Sequence, residues 1–203
     1  NPAALAVLAD GCLDGRSALV TGGGSGIGRA SALLLARLGA KVAVTGRREE
    51  ELAETAALAA AAGYEHPILT VSCDVREPEN VDAMLDEVLA KHGYIDILVN
   101  NAGGQFMAPA ESITYNGFRA VTRLNLDATW YITTQVASRS MIERGYGKIV
   151  SITMTPRRGL PGMSHSSAAR AGVESLTRTL SVEWGKYGIR TAAIAPGIVH
   201  TAA

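Results

Sequence analysis

Cysteine, aromatic residues and long apolar runs are all scarce in this 203-residue sequence. The two cysteines, Cys12 and Cys73, offer neither metal-ligand spacing nor a disulfide framework, so no metal is expected and a reducing cytoplasm is the expected setting. No apolar run approaches the roughly 18 residues of a membrane span. Nineteen basic side chains balance nineteen acidic ones, which argues against an electrostatic binder of nucleic acid. Residues 1–9 are apolar but lack the basic start of a signal peptide, and residues 1–13 are expected to form a leading arm. Aromatics make up only 5% against 22 glycines, a balance that suits helices packed closely on a sheet. The length fits one domain, over residues 14–203.

The informative stretch is Ala18 to Ala30, which reads as a buried strand, a glycine turn and a helix opening near Ile27. A strand that runs into a glycine-rich helix start presents bare N–H groups to a phosphate. Gly22, Gly26 and Gly28 give G-x-x-x-G-x-G. A Walker loop does not fit, because Arg29 and Ala30 stand where Lys and Ser/Thr would grip phosphate and magnesium. A plain tight turn is the bland alternative.

Downstream, strands are expected at 41–45, 67–72, 95–99, 148–152 and 190–195. Helices are expected from Ile27 to Leu38, from about Glu49 to Ala62, over 78–92, as two stretches within 111–144, and over 164–186. The strands are continuous apolar runs and alternate with helices, the pattern of a parallel sheet covered on both faces. Right-handed crossovers then bring Gly22, Arg47, Asp74, Asn100, Thr153 and Pro196 to one edge, where ligands of such sheets bind. The expected fold is α/β, a Rossmann-type doubly wound parallel sheet.

Thr21-Gly22-x-x-x-Gly26-x-Gly28, Asn100-Asn101-Ala102-Gly103, Asn125, and Pro196-Gly197 with Thr201 together resemble the short-chain dehydrogenase/reductase family. The resemblance covers residues 14 to 201 and implies a nicotinamide dinucleotide, often bound by a tetramer. It implies that Gly22, Ser25, Gly26, Ile27 and Gly28 hold the pyrophosphate and that Asp74 and Val75 meet the adenine. Asn100, Ala102 and Gly103 would line the ribose side, and Pro196, Gly197 and Thr201 the carboxamide side. Against that pattern, the last strand and the helices covering the substrate are expected to be missing. For the cofactor, an acid after the second strand would suit NAD, whereas Arg47 and Arg48 suit the 2′-phosphate of NADP(H).

The family's ketone reductases use Ser, Tyr and a Lys four residues after the Tyr. Here Ser166 takes the Tyr position, Arg170 the Lys position, and Thr153 stands near the Ser. An aliphatic hydroxyl is a far weaker acid than a phenol, and arginine does not relay protons. The runs His165-Ser166-x-Ala168-Ala169-Arg170 and Asn101-x-Gly103-Gly104-Gln105-Phe106 look most like the trans-2-enoyl-CoA and dienoyl-CoA reductase branch. Reducing a conjugated C=C bond needs hydrogen-bond donors at a thioester oxygen, not a matched acid. Ser166 and Thr153 or Thr155 could donate, Arg170 could fix the nicotinamide ribose, and Asn125 would kink its helix and hold a water. Arg157 and Arg158 could meet a CoA phosphate. The alternatives are a ketone or alcohol oxidoreductase with His165 as acid, and a catalytically silent NADP-binding relative. A homo-oligomer is expected, with Trp130 and Tyr131 in the core or at the interface.

Overall fold

The computed structural model describes residues 8–9, 11–154 and 159–201. Most of the expected leading arm and the loop residues Thr155, Arg157 and Arg158 lie outside them. Six strands, β1 (Ser17–Thr21), β2 (Lys41–Gly46), β3 (Leu69–Ser72), β4 (Ile97–Asn100), β5 (Gly147–Ile152) and β6 (Ile189–Ile194), form one sheet. Its order is β3-β2-β1-β4-β5-β6 and every pairing is parallel. The chain therefore winds outwards from β1 in both directions. A crevice must open where β1 meets β4, beyond the carboxyl ends of the strands.

Continuous apolar strands serve both faces of this sheet. Ala18 and Val20 of β1, with Ile97 and Val99 of β4, pack with Ala32 and Ala36 of α1 (Gly26–Arg37) and Leu52 and Ala59 of α2 (Glu49–Ala61). Leu19 and Leu98 point the other way. There they join Val81, Met84, Leu85 and Val88 of α3 (Pro78–His92) and Ala128, Ile132 and Val136 of α5 (Ala128–Val136). Alanine faces on α1 let that helix lie close to the sheet. Among the described residues, no helix is long and apolar enough to cross a membrane.

Expectations change at the long helix and at two strand starts, β3 beginning at Leu69 and not Pro67. In place of two separate helical stretches, Tyr115 to Arg144 is one unbroken helical run. It comprises α4 (Tyr115–Thr122), a π-type segment at Arg123–Asp127, α5, a second π-type segment at Ala137–Met141, and α6 (Ile142–Arg144). No proline interrupts it, and each widened turn absorbs an extra residue without ending the helix. Asn125 lies in the first π segment, where a bend was expected. β4 starts at Ile97, not Ile95. Ser140 Oγ, in the second π segment, accepts the Ile95 N–H at 2.9 Å and donates to the Ile95 carbonyl at 3.2 Å, so Ile95 pairs with a side chain and not a strand. The last helix, α7 (Ser164–Trp184), packs on α4, on the first π segment and on β6.

Ser140 is buried, and its loss would leave both polar groups of Ile95 unpaired. Ser140→Ala is expected to lower unfolding free energy by about 1–3 kcal/mol, seen as a lower denaturant midpoint with unchanged slope.

Candidate cofactor and active site

The glycine turn between β1 and α1 depends on conformations and clearances that side chains would spoil. Gly22 and Gly26 sit at φ +64° and +52°, in the left-handed region. A Cβ on Gly28 would collide with the Gly22 carbonyl and the Asn101 amide. Ser25, at the N-cap of α1, makes no side-chain cap bond, and no acid lies in the first turn. The positive end of a 12-residue helix is therefore open towards the crevice.

The turn is clamped from outside. Thr55 Oγ1 on α2 donates to the Gly23 carbonyl at 3.0 Å, and Arg29 Nε donates to the Gly24 carbonyl at 2.9 Å. Arg29 also bonds Thr55 Oγ1 at 3.1 Å and pairs with Glu54 at 2.6 Å. With one carbonyl held by Thr55 of α2 and the other by Arg29 of α1, these peptides cannot turn oxygen towards a phosphate. Across the crevice, Thr21 Oγ1 accepts the Asn101 and Ala102 N–H groups, each at 3.0 Å. Asn101 Nδ2 donates back to the Thr21 and Gly22 carbonyls, each at 3.1 Å.

Between the two loops lies a cleft of about 550 Å³. Of the sequence-predicted residues, Gly22, Ser25, Gly26, Ile27, Arg47, Asp74, Val75, Ala102, Gly103, Arg170, Gly197 and Thr201 line it. At its β2 end, Arg48 pairs with Glu51 at 2.7 Å, whereas Arg47 makes no ion pair among the described residues. Arg76 bonds both oxygens of Asp74 and holds that carboxyl down to about 2. Burial pushes the Cys73 thiol up to about 11, so this cleft residue is an inert thiol at neutral pH.

The other end of the cleft is set by α7. Arg170 is only 7% exposed, and its Nη1 donates to the Ile152 carbonyl at 3.0 Å. Its guanidinium occupies the space a side chain on Gly103 would need. No carboxylate pairs with Arg170 among the described residues, and burial lowers its pKa to about 10, so it stays a cation at neutral pH. One turn earlier, Ser166 is fully buried and its Oγ has no hydrogen-bond partner.

Several expected residues stand behind the cleft. Asn100, expected on the ribose side, does not line the cleft: its Nδ2 turns inwards to Thr133 Oγ1 at 2.8 Å, because strand alternation sends it opposite to Asn101. Thr153 gives its hydroxyl to Glu174 at 3.2 Å and to the Ile194 carbonyl at 3.3 Å. Asn125 braces the Gly103–Gly104 loop, with Oδ1 accepting the Gly104 N–H at 3.1 Å and Nδ2 donating to the Gly104 carbonyl at 2.7 Å. Neither Pro196, Gly28 nor Ser166 itself lines the cleft. Sequence reasoning missed Asn101 as the fastener, along with Arg29 and Thr55. A lone threonine on the buried face of an alanine-rich helix is the signal that could have found Thr55.

Thr55→Val keeps the shape of the side chain and removes its donor. It is expected to weaken cofactor binding about tenfold while Thr55→Ser restores it, measured by fluorescence titration of a reduced nicotinamide dinucleotide. One lost hydrogen bond of about 1.4 kcal/mol corresponds to that factor.

A family model described as short chain dehydrogenase matches residues 16–203. The chain is 42% identical over 190 residues to a probable 2,4-dienoyl-CoA reductase of Bacillus subtilis (strain 168), covering 93% of this chain and 74% of that protein. It is 38% identical over 199 residues to a probable 2,4-dienoyl-CoA reductase 3 of Caenorhabditis elegans, covering 96% of this chain and 63% of that protein. Among solved structures it is similar to the citronellol catabolism dehydrogenase AtuB of Pseudomonas aeruginosa PAO1, with a TM-score of 0.88 and 43% identity over 94% of this chain and 77% of the other. With its parallel six-stranded sheet and open glycine turn, the chain belongs to the short chain dehydrogenase family.

Proposed function

We propose that this protein reduces the C=C bond of an enoyl thioester with NADPH. The observation that carries the reading is the pair at the head of α7: a fully buried Ser166 hydroxyl and a buried Arg170 cation, the first without a hydrogen-bond partner and the second without a counter-charge among the described residues. Both are donors, and neither is an acid matched to an alkoxide. Two of the relatives similar to this chain are described as probable dienoyl-CoA reductases, which supports the same reading.

The residues fit a nicotinamide dinucleotide. The glycine cradle would be filled by any added Cβ at Gly28, and the open mouth of α1 suits a pyrophosphate. Bound there, the cofactor supplies a hydride. At the end of β2, Arg47 is unpaired among the described residues, while the acid Glu51 is engaged by Arg48. That arrangement favours a 2′-phosphate, hence NADP(H). Arg170 is assigned to the nicotinamide ribose hydroxyls and adds positive potential beside them.

The hydride adds to the β-carbon of the substrate, and the C=C electron pair moves onto the thioester oxygen. Ser166 Oγ–H holds that oxygen as negative charge develops. Water then protonates the α-carbon, so no phenolic acid is required. Asn125 acts at one remove, by holding the Gly103–Gly104 backbone against Arg170. Thr153, whose hydroxyl is engaged elsewhere, is a support for the end of β5. Trp130, half exposed, and Val182 on α7 offer apolar surface for a homo-oligomer. The unpaired cysteines suit a reducing, cytoplasmic setting.

In an NADPH-consumption screen, enoyl thioesters are expected to be turned over in preference to ketones. Ser166→Ala should lower kcat by about 10²-fold with cofactor affinity unchanged. Undiminished turnover would remove Ser166 from this role, and saturable NADPH binding with no turnover of any thioester or ketone would mark a silent binder.

A further inference from the structure

His165, the second residue of α7, has no task in the mechanism above. It is fully buried, and only one ring nitrogen is used: the Ser166 N–H donates to Nδ1 at 2.8 Å, while Nε2 has no partner. Five buried side-chain atoms lack a hydrogen-bond partner among the described residues, and three belong to the consecutive residues His165, Ser166 and Ser167. Such groups are rare, and their concentration at one helix head points to a ligand. Phe106 meets the His165 ring edge-on, with centroids 4.5 Å apart. Phe106 continues the loop whose Gly103–Gln105 stretch lines the cleft, and Ala108 N–H ties that loop to the Gly162 carbonyl at 3.0 Å. His165 thus lies under Phe106, two residues beyond Gly104 of the cleft lining, and does not itself line the cleft.

The tautomer follows from the cap. An Nδ1 that accepts the Ser166 N–H carries no proton, so the ring proton sits on Nε2. The Ser166 N–H is one of the first-turn donors that a helix leaves open. The imidazole accepts that donor and offers another on its far side. Behind it stands the positive end of a 21-residue helix. The ring is a relay that carries the donor character of the helix mouth outwards by one side chain.

We propose that His165 Nε2–H is a second hydrogen-bond donor to the acyl carbonyl oxygen of the substrate, acting with Ser166 Oγ. This rests on the enoyl-thioester reading. The N–H bond stays intact throughout, since the hydride goes to the β-carbon and the α-carbon takes its proton from water. His165 is in this sense an electrostatic contact and not the general acid of a ketone reductase.

His165→Phe keeps a ring against Phe106 and removes both nitrogens, whereas His165→Gln retains an amide donor at about the reach of Nε2. The expected result is an approximately 10²-fold loss of kcat on enoyl thioesters for His165→Phe. NADPH affinity should be unchanged, with partial recovery in His165→Gln. In parallel, ¹⁵N NMR of the wild-type histidine rings is expected to show His165 bare at Nδ1 and protonated at Nε2. Its Nε2–H resonance should shift when a saturated acyl thioester joins the NADP⁺ complex. A proton on Nδ1, a resonance indifferent to the thioester, or a His165→Phe kcat within about twofold of wild type would each overturn the proposal. The spectroscopic result decides it if the phenylalanine variant does not fold. A wild-type enzyme inactive on every enoyl thioester would defeat the reductase reading itself and this proposal with it; an active wild type with an indifferent His165→Phe defeats only the latter.

Discussion

The buried Thr21 hydroxyl is the fastening on which the cleft depends. It accepts two backbone N–H groups from the loop after β4, while its own strand leads into the glycine turn. Parallel pairing brings β1 and β4 together but leaves the loops beyond them to diverge. Thr21 and Asn101 prevent that divergence with four hydrogen bonds. Both walls of the cleft are thereby referred to the most buried strand of the sheet, so the site inherits the rigidity of the core.

From that fixed point, the electrostatics run along the cleft in a simple order. The middle carries helix N–H groups and no acid. One end carries Arg47 with Asp74 already committed to Arg76, and the other carries the unpaired Arg170. A chain with no net charge thus places the buried cation Arg170 and an open helix N-terminus in one crevice. Bulk neutrality excludes a polyanion surface yet is consistent with a local seat for a small anion, because only the groups within a Debye length count.

Much of this was legible in the sequence, for identifiable reasons. Continuous Val/Ile/Leu runs between amphipathic helices dictate a buried parallel sheet, and the glycines at 22, 26 and 28 reveal themselves because no other residue meets their steric demands. What failed was direction at strand ends. Asn100 and Asn101 are chemically identical neighbours, and only the place where β4 stops decides which enters the core. Thr153 is a parallel case, since its hydroxyl partners lie on α7 and β6. The clamp of Arg29 and Thr55 joins residues 26 apart in sequence, so no local pattern announces it. The π-type segments left no mark either, because an extra residue in a helical turn breaks no propensity rule.

The guanidinium of Arg170, which has no carboxylate partner among the described residues, has an energetic consequence for the folded protein. A desolvated cation held by a single carbonyl raises the free energy of the folded chain, and ligand oxygens that approach it relieve that burden. Occupancy and folding are therefore linked through mass action, in proportion to RT ln(1 + [L]/Kd). Its thermal midpoint should follow the dinucleotide concentration, which makes heat resistance a gauge of how much of the population is loaded.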